Sequence, residues 1–280
     1  MESGFGYFPT HDAVDPASLA RMVEQRGHAA LLFAEHTHIP VGDGQPPDDS
    51  GGRLPRRYWH TYDLMVSCTA SGLATSRLHV GSAICLVPQH DPIDMAKTVA
   101  SVDHLTGGRF EFGVGAGWNT PEIRNHRVDP SQRFRVMREY IEAMQQIWTN
   151  EAAEYHGRFV SFDPIWSWPK PVQRPYPPIL VGGAGPRVEE RVLAYGDAWI
   201  PNYDESVLGR ASDLRARAAD VGKRVLVYVM SRDVPEPRRL ETLEAAGIER
   251  YLVWLPSAGS DRIERVMDRF EAALAEMRGE

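Results

Sequence analysis

Eight short apolar runs alternate with amphipathic stretches along this chain, and no other feature restricts its fold as strongly. Several runs are apolar at nearly every position, as expected for strands buried on both faces of a parallel sheet. The runs are Gly4–Tyr7, Ala30–Ala34, His79–Cys85, Arg109–Val114, Ile179–Val181, Asp197–Ile200, Val225–Met230 and Arg250–Leu255. The helical stretches are Pro16–Gln25, Asp63–Thr75, Pro92–Leu105, Arg133–Asn150, Pro186–Tyr195, Glu205–Val221, Arg238–Ala246 and Asp261–Met277. Because eight βα units close a barrel, the pattern predicts an α/β fold of the (β/α)8 TIM-barrel type, with an open doubly wound sheet as the alternative.

Length and charge restrict the class of protein further. A single domain spanning residues 1–280 is expected, since such barrels routinely reach about 250 residues. The chain has 38 Asp+Glu against 31 Lys+Arg, a formal net charge of −7, which argues against a nucleic-acid partner. No run approaches a membrane-spanning length, no signal peptide is evident, and two cysteines cannot form a disulfide framework. These features predict a cytoplasmic protein that does not span a membrane.

Two segments interrupt the alternation. Thr37–His60 is rich in Gly, Pro and Asp and has no periodicity, and it follows the second predicted strand. Because barrel active sites lie at the carboxyl ends of the strands, we interpret this segment as a lid. Glu151–Pro178 precedes the fifth predicted strand and contains a predicted hairpin around Tyr155–Phe159, followed by a proline-rich run.

Polar residues follow the second predicted strand, where a barrel places its chemistry. Glu35 and His36 pair a carboxylate with a side chain that titrates near neutral pH, which predicts a catalytic acid–base pair. His36 and His38 also have the spacing of a metal site. A barrel metallohydrolase would need further ligands at later strand ends, and the sequence offers none there. We therefore predict no metal.

Glycines follow two further predicted strands. Gly115, Ala116, Gly117 and Trp118 follow the fourth, where glycines let the backbone approach a flat ligand and the indole can form a wall. The next helix is expected only at about Ser131. After the fifth strand, Gly182-Gly183-Ala184-Gly185-Pro186 runs directly into a predicted helix, so its backbone N–H groups predict a phosphate site. An elongated ligand with a flat ring and a phosphate fits both sites.

Several motifs occur together in a characteristic order. LTGGR (105–109), GAGW (115–118), KPVQ (170–173) and VGG (181–183) follow one another along the chain. They resemble the bacterial luciferase-like superfamily, and within it the actinobacterial group of oxidoreductases that use the deazaflavin coenzyme F420. The resemblance covers nearly the whole chain, from about Phe5 to Leu255.

The resemblance implies a (β/α)8 barrel, usually a homodimer, with a bulge in the third strand that supports the cofactor ring. Residues Ala83, Ile84 and Cys85 match that bulge, which in the family often contains a non-prolyl cis peptide. The phosphate-binding glycines match Gly182, Gly183 and Gly185, and the family's acid–His pair matches Glu35-His36, although Asp-His is the commoner form. A glutamate acid that follows the strand-four glycines in one branch is replaced here by Trp118. Glu122, the nearest carboxylate, receives little weight.

The resulting hypothesis is hydride transfer between F420 and a small organic substrate. His36 would give or take the matching proton, and Glu35 would orient His36 or bond the ring edge. Trp118, Tyr58 and Trp59 would exclude water. Arg53, Arg56 and Arg57 would attract an anionic substrate or the acidic tail of the cofactor.

Three alternatives remain at this stage. The first is an FMN-dependent monooxygenase, which would share the fold and activate oxygen. The second is a non-catalytic flavin-binding relative, which would keep Gly182–Gly185 without an organised Glu35-His36 pair. The third is the metallohydrolase.

Overall fold

The structure is a computed structural model, and it describes residues 1–41 and 54–279. Its strands are β1 (Glu2–Tyr7), β2 (Ala30–Phe33), β3 (His79–Ser82), β4 (Cys85–Leu86), β5 (Phe110–Gly115), β6 (Ala152–His156), β7 (Ser161–Trp166), β8 (Ile179–Gly182), β9 (Ala198–Ile200), β10 (Leu226–Ser231) and β11 (Arg250–Trp254). All except β6 and β7 belong to one parallel sheet in the order β3-β2-β1-β11-β10-β9-β8-β5-β4. Pairing of β3 with β5, with Val80 opposite Phe110, closes this sheet. The predicted (β/α)8 barrel is confirmed, and the open-sheet alternative is wrong.

Helices follow the barrel strands in the expected alternation. They are α1 (Pro16–Gln25), α2 (Leu64–Leu73), α3 (Pro92–Leu105), α4 (Thr120–Asn125), α5 (Arg133–Thr149), α6 (Val188–Tyr195), α7 (Val207–Asp220), α8 (Pro237–Ala245) and α9 (Ser260–Arg278). The side chains of Asp15, Asp63 and Asp91 cap α1, α2 and α3 by accepting backbone N–H groups, which fixes where these helices begin. The sequence placed the start of α6 at Pro186, but the structure starts it two residues later.

The core has two layers that follow the alternation of side chains along the strands. Leu31 and Phe33 of β2 belong to a large cluster that also contains helix residues, so they face the helices. Ala30 and Leu32 belong to a second cluster built almost entirely from strand residues, which fills the barrel interior. Both faces of β2 are therefore buried, which explains its continuous apolar sequence.

The two interruptions of the alternation have different outcomes. The predicted hairpin is confirmed, because β6 and β7 pair antiparallel outside the barrel. Of the predicted lid, the structure describes residues 37–41 and 54–60, whereas the centre of that segment and Arg53 lie outside the described residues. Across residues 1–41 and 54–279, no helix combines the length and apolar character needed to cross a membrane.

Candidate active site

The carboxyl ends of the barrel strands surround a cavity of about 720 Å³. His36 follows β2, Trp118 follows β5 and Gly183 follows β8, and all three line this cavity. Glu35, Ala83, Ile84, Gly115, Ala116, Gly117 and Gly182 also line it. The structure thus brings together ten of the thirteen residues that the sequence analysis selected. Cys85, Ala184 and Gly185 lie outside the lining.

A bulge between β3 and β4 forms a platform at the cavity. β3 ends at Ser82, β4 begins at Cys85, and the peptide bond between Ala83 and Ile84 is cis. The side chain of Ile84 lies against glycines of two neighbouring strands. A Cβ atom at Gly115 would lie 1.8 Å from Ile84 Cδ1, and one at Gly182 would lie 2.8 Å from Ile84 Cγ2. These two glycines therefore make room for Ile84, a role that the sequence pattern did not reveal.

A buried carboxylate holds His36. The Nδ1 atom of His36 lies 2.9 Å from Oε2 of Glu122, and Glu122 is completely buried. Glu122 reaches this position because α4 begins at Thr120, about ten residues before the next helix that the sequence predicted. Asn119 caps α4 by accepting the N–H of Glu122, and Pro121 lies in its first turn. The segment Asn119-Thr120-Pro121-Glu122 carries this helix-start signal, so the sequence contained the information.

Glu35 contacts β4 and His90 rather than His36. Its Oε2 accepts the backbone N–H of Leu86 in β4, and its Oε1 lies 2.9 Å from Nε2 of His90. Burial lowers the pKa of His90, but the hydrogen bond and charge of Glu35 raise it, and the net pKa lies above the ordinary histidine value. From the sequence we predicted that Glu35 would orient His36 or bond the ring edge, and we gave Glu122 little weight. In the structure Glu122 binds His36, whereas Glu35 fixes the strand that follows the bulge.

Aromatic side chains cover His36. Its ring centroid lies 5.2 Å from that of Tyr58 and 5.5 Å from that of Trp118, and the Tyr58 and Trp118 rings are themselves 5.9 Å apart. Tyr58 belongs to a short 3-10 helix, Arg56–Tyr58, in the described end of the predicted lid segment. These rings place apolar surface around the buried imidazole.

The two arginines of that 3-10 helix, Arg56 and Arg57, make different contacts. Arg57 lines the cavity and lies over the rings of Phe8 and Tyr58, 5.5 Å and 5.4 Å from their centroids. Arg56 instead forms an ion pair with Asp12, 3.2 Å away, and does not line the cavity. Of the two arginines proposed from sequence that lie in the described residues, Arg56 and Arg57, the structure places Arg57 at the cavity.

The glycine-rich loop between β8 and α6 presents backbone N–H groups. Trp199 donates to the carbonyl oxygen of Gly183 at 2.8 Å, and Arg210 donates to those of Ala184 and Gly185 at 2.8 Å and 3.1 Å. In a trans peptide the N–H points opposite to the C=O. The N–H of Ala184 therefore points away from Trp199, and the N–H of Gly185 points away from Arg210. The loop therefore offers N–H groups at its exposed side, as an anion requires.

Some buried polar atoms near the site have no hydrogen-bond partner among the described residues. They are Oε1 of Glu122 and both side-chain amide atoms of Gln89. Gln89 follows β4 and lies beside Gly117, where an added Cβ would be 3.6 Å from its Nε2. Neither residue was selected as functional from the sequence. Because such atoms are costly when unpaired, they mark positions where a bound molecule or water would be stabilised.

Glu35, Cys85 and His90 form a group whose potential ligand atoms lie within 4.8 Å of one another. Both oxygens of Glu35 already have partners, Leu86 N–H and His90, and burial raises the pKa of the Cys85 thiol well above its usual value. The hydrogen bonds explain this arrangement without a metal. His36 and His38 are the pair with metal-ligand spacing. His36 bonds to Glu122, and His38 bonds to Thr37 and Asn125.

Comparison with known proteins agrees with the resemblance in the sequence. The profile of the family described as luciferase-like monooxygenase matches residues 12–279, and the chain belongs to this family. An uncharacterized protein of Mycobacterium tuberculosis is 38% identical over 287 residues, covering 98% of this chain and 99% of that protein. The FMNH2-dependent dimethylsulfone monooxygenase of Pseudomonas putida is 33% identical over 175 residues, covering 59% of this chain and 48% of that enzyme.

A solved structure shows the same fold over the full length. The F420-dependent secondary alcohol dehydrogenase, in complex with an F420-acetone adduct, superposes with a TM-score of 0.77. The match covers 99% of this chain and 100% of that enzyme at 17% identity, which establishes the shared fold. Luciferase-like family members are oxidoreductases and monooxygenases.

Proposed function

We propose that this protein is an oxidoreductase that transfers a hydride between coenzyme F420 and a small organic substrate. The observation that carries the proposal is the buried His36–Glu122 pair at the edge of the cavity that Ile84 enters. Hydride transfer to a carbonyl, or from an alcohol, requires a matching proton transfer, and a histidine with a fixed orientation can give or take that proton. A protein that binds a flavin without turnover needs no group to transfer a proton. The His36–Glu122 pair therefore favours an enzyme over the non-catalytic alternative.

The residues around the cavity fit a cofactor with a flat ring and a phosphate. Ile84 would contact one face of the ring, because Gly115 and Gly182 leave it room to project from the bulge. The N–H groups of Ala184 and Gly185 would bind the phosphate. A volume of about 720 Å³ lies within the range of cofactor sites in proteins. When bound, a deazaflavin would supply the hydride donor or acceptor.

In the proposed mechanism His36 transfers the proton, and Glu122 orients His36. Glu122 accepts the Nδ1–H of His36, which leaves Nε2 to exchange a proton with a substrate oxygen in the cavity. When a substrate alcohol is oxidised, Nε2 takes the hydroxyl proton, and the Glu122 carboxylate stabilises the imidazolium that results. In the reverse direction Nε2 returns that proton to the carbonyl oxygen. Tyr58 and Trp118 cover the imidazole and limit proton exchange with solvent.

An FMN-dependent monooxygenase is the second candidate. The Pseudomonas putida relative, named for FMNH2, supports it. We place F420 first because the motifs LTGGR (105–109), GAGW (115–118), KPVQ (170–173) and VGG (181–183) resemble the group of the family that uses F420.

Equilibrium titration of the purified protein with F420 and with FMN tests the choice of cofactor. Trp118 is 42% exposed and lines the cavity, so a bound ring should quench its fluorescence. We expect F420 to bind at least about tenfold more tightly than FMN, a difference of about 1.4 kcal/mol. Trp118→Phe should remove most of the quenching and keep the affinity measured by ultrafiltration. Tighter binding of FMN would overturn the assignment to F420.

Three further properties belong to the proposal. The chain acts as one domain, it forms a homodimer, and it works in the cytoplasm on a small-molecule substrate. Helix α2 carries two exposed apolar residues on one face, Val66 and Leu73, which are 64% and 63% exposed. That face is our candidate for the dimer contact. Sedimentation equilibrium of Val66→Glu beside the unsubstituted protein measures it.

A further inference from the structure

Helix α9 separates its charges onto two faces. Glu264, Asp268 and Glu271 all form ion pairs with Arg26, at 3.7, 2.7 and 3.0 Å. Residues of a helix are about 100° apart around its axis, so these three acids lie roughly opposite Arg262 and Arg269. Arg26 thus neutralises the acidic face, whereas Arg262 and Arg269 lie on the opposite face.

That second face points into the active-site cavity. Arg262, Val266 and Arg269 are at helical spacing and line the cavity together. Neither arginine forms an ion pair or a side-chain hydrogen bond with any residue in ranges 1–41 and 54–279. Both are exposed, so their guanidinium groups are accessible to a molecule that enters the cavity.

The described lining of the cavity is positive although the protein is acidic. Its arginines are Arg57, Arg232, Arg262 and Arg269, and its carboxylates are Glu35 and Asp233. The Leu86 N–H and His90 bind both oxygens of Glu35, so its charge is already compensated. In a chain of net charge −7, this concentration of guanidinium groups indicates that the cavity is built to attract anions.

We propose that Arg262 and Arg269 form a basic arm that binds an oxyanion, a carboxylate or phosphate carried by the substrate. The proposal rests on the proposed function, since it names the substrate class of the same cavity. The planar guanidinium forks suit bidentate binding of such groups. The apolar side chain of Val266 between the two arginines would contact the carbon chain that carries the anion.

The basic arm is separate from the glycine-rich loop. The loop follows β8 and the arm follows β11, and strands β9 and β10 lie between them in the sheet. The phosphate of a cofactor bound at the loop would therefore occupy a different part of the cavity rim. The acidic tail of F420 is a second possible source of the oxyanion, and the experiment distinguishes the two sources.

The test compares probes that share a six-carbon chain and differ in their head group, which is anionic in two of them and neutral in the third. Hexanoate, hexyl phosphate and hexanol are titrated into the F420-loaded protein, and binding is followed by the fluorescence of the bound deazaflavin. The variant R262Q/R269Q removes the basic arm. The matched control R265Q/R278Q removes two exposed arginines of the same helix that do not line the cavity, so both variants have the same net charge.

We expect both anions to bind the unsubstituted protein at least about tenfold more tightly than hexanol, as charge-assisted hydrogen bonds allow. R262Q/R269Q should lose this preference, and R265Q/R278Q should keep it. Affinity for F420 itself should change less than about twofold in either variant. Equal binding of the three probes, or a preference that survives in R262Q/R269Q, overturns the proposal.

Cofactor titration separates the remaining outcomes. If R262Q/R269Q weakens F420 but not the deazaflavin chromophore lacking phosphate and glutamates, the arm binds the cofactor tail and the substrate assignment is wrong. If the protein binds FMN and not F420, the proposed cofactor is wrong. The same three probes, titrated into the FMN-loaded protein, then still decide whether the arm binds a substrate anion.

Discussion

Replacing Glu122 with glutamine tests the central contact of the proposed mechanism. The Oε2 atom of Glu122 lies 2.9 Å from His36 Nδ1, and both side chains are buried. A hydrogen bond to a charged group contributes about 1.5–3 kcal/mol, and each 1.36 kcal/mol changes a rate about tenfold. If the imidazolium is present in the transition state, Glu122→Gln should slow hydride transfer about 10- to 150-fold. Glutamine keeps nearly the same volume, so the melting temperature should change little.

The measurement is single-turnover hydride transfer, followed by the deazaflavin absorbance with a substrate obtained from the probe titrations. Glu276→Gln, on the exposed surface of α9, is the matched control and should not change the rate. The decisive comparison is a double-mutant cycle with His36→Asn. Glu122 acts through His36, so Glu122→Gln should have almost no further effect once His36 is replaced. An equal rate loss in both backgrounds would show that Glu122 acts independently and would refute the reasoning.

Two further predictions concern the platform and the barrel interior. Gly115→Ala places a Cβ 1.8 Å from the platform side chain and should weaken cofactor binding more than about tenfold. Gly209→Ala, on the exposed surface of α7, adds a Cβ that meets no atom within 4 Å and should change the affinity less than twofold in the same quenching titration; equal effects of the two would contradict the platform. Arg250 lies 2.6 Å from the buried Glu111, and Arg250→Met should reduce the free energy of unfolding in urea by about 3–5 kcal/mol. Burial raises the pKa of Glu111, but Arg250 lowers it, and the net pKa lies below the ordinary value. The contribution of Glu111 to stability is therefore complete above that ordinary value and is lost as the pH falls through the lowered pKa. A loss below about 1 kcal/mol in Arg250→Met would argue against a strong pair.

The barrel was predictable because its signal is distributed over the whole chain. Eight buried strands and the helices between them each carry the same pattern, so an error of a few residues at one boundary does not change the fold. The start of α6 shows this, since it differs from the prediction by two residues without altering the topology. The capping aspartates were visible for a related reason: an N-cap needs only residues that are adjacent in sequence.

The site was harder to predict because its contacts join residues that are distant in sequence. His36 and Glu122 are 86 positions apart, and only the barrel brings them together. Sequence proximity favoured Glu35 as the partner of His36, but Glu35 lies against a strand 51 positions away. The short helix α4 was missed because six residues are too few to show a helical period. Its Asn-Thr-Pro-Glu start was the available signal.

The adjacent residues Glu35 and His36 contact different parts of the site, and their side chains do not bond to each other. Their separate contacts explain why an acid is useful beside the histidine. Glu35 accepts the N–H of Leu86 and so holds the strand that leaves the bulge, where Ile84 forms the platform. His36, one residue later, reaches Glu122 on α4. The position of the platform and the position of His36, the proposed proton donor, are therefore fixed from the same point of the backbone. A shorter aspartate at position 35 would not reach Leu86 without movement of β4, so the glutamate of this chain matches the distance between the two strands.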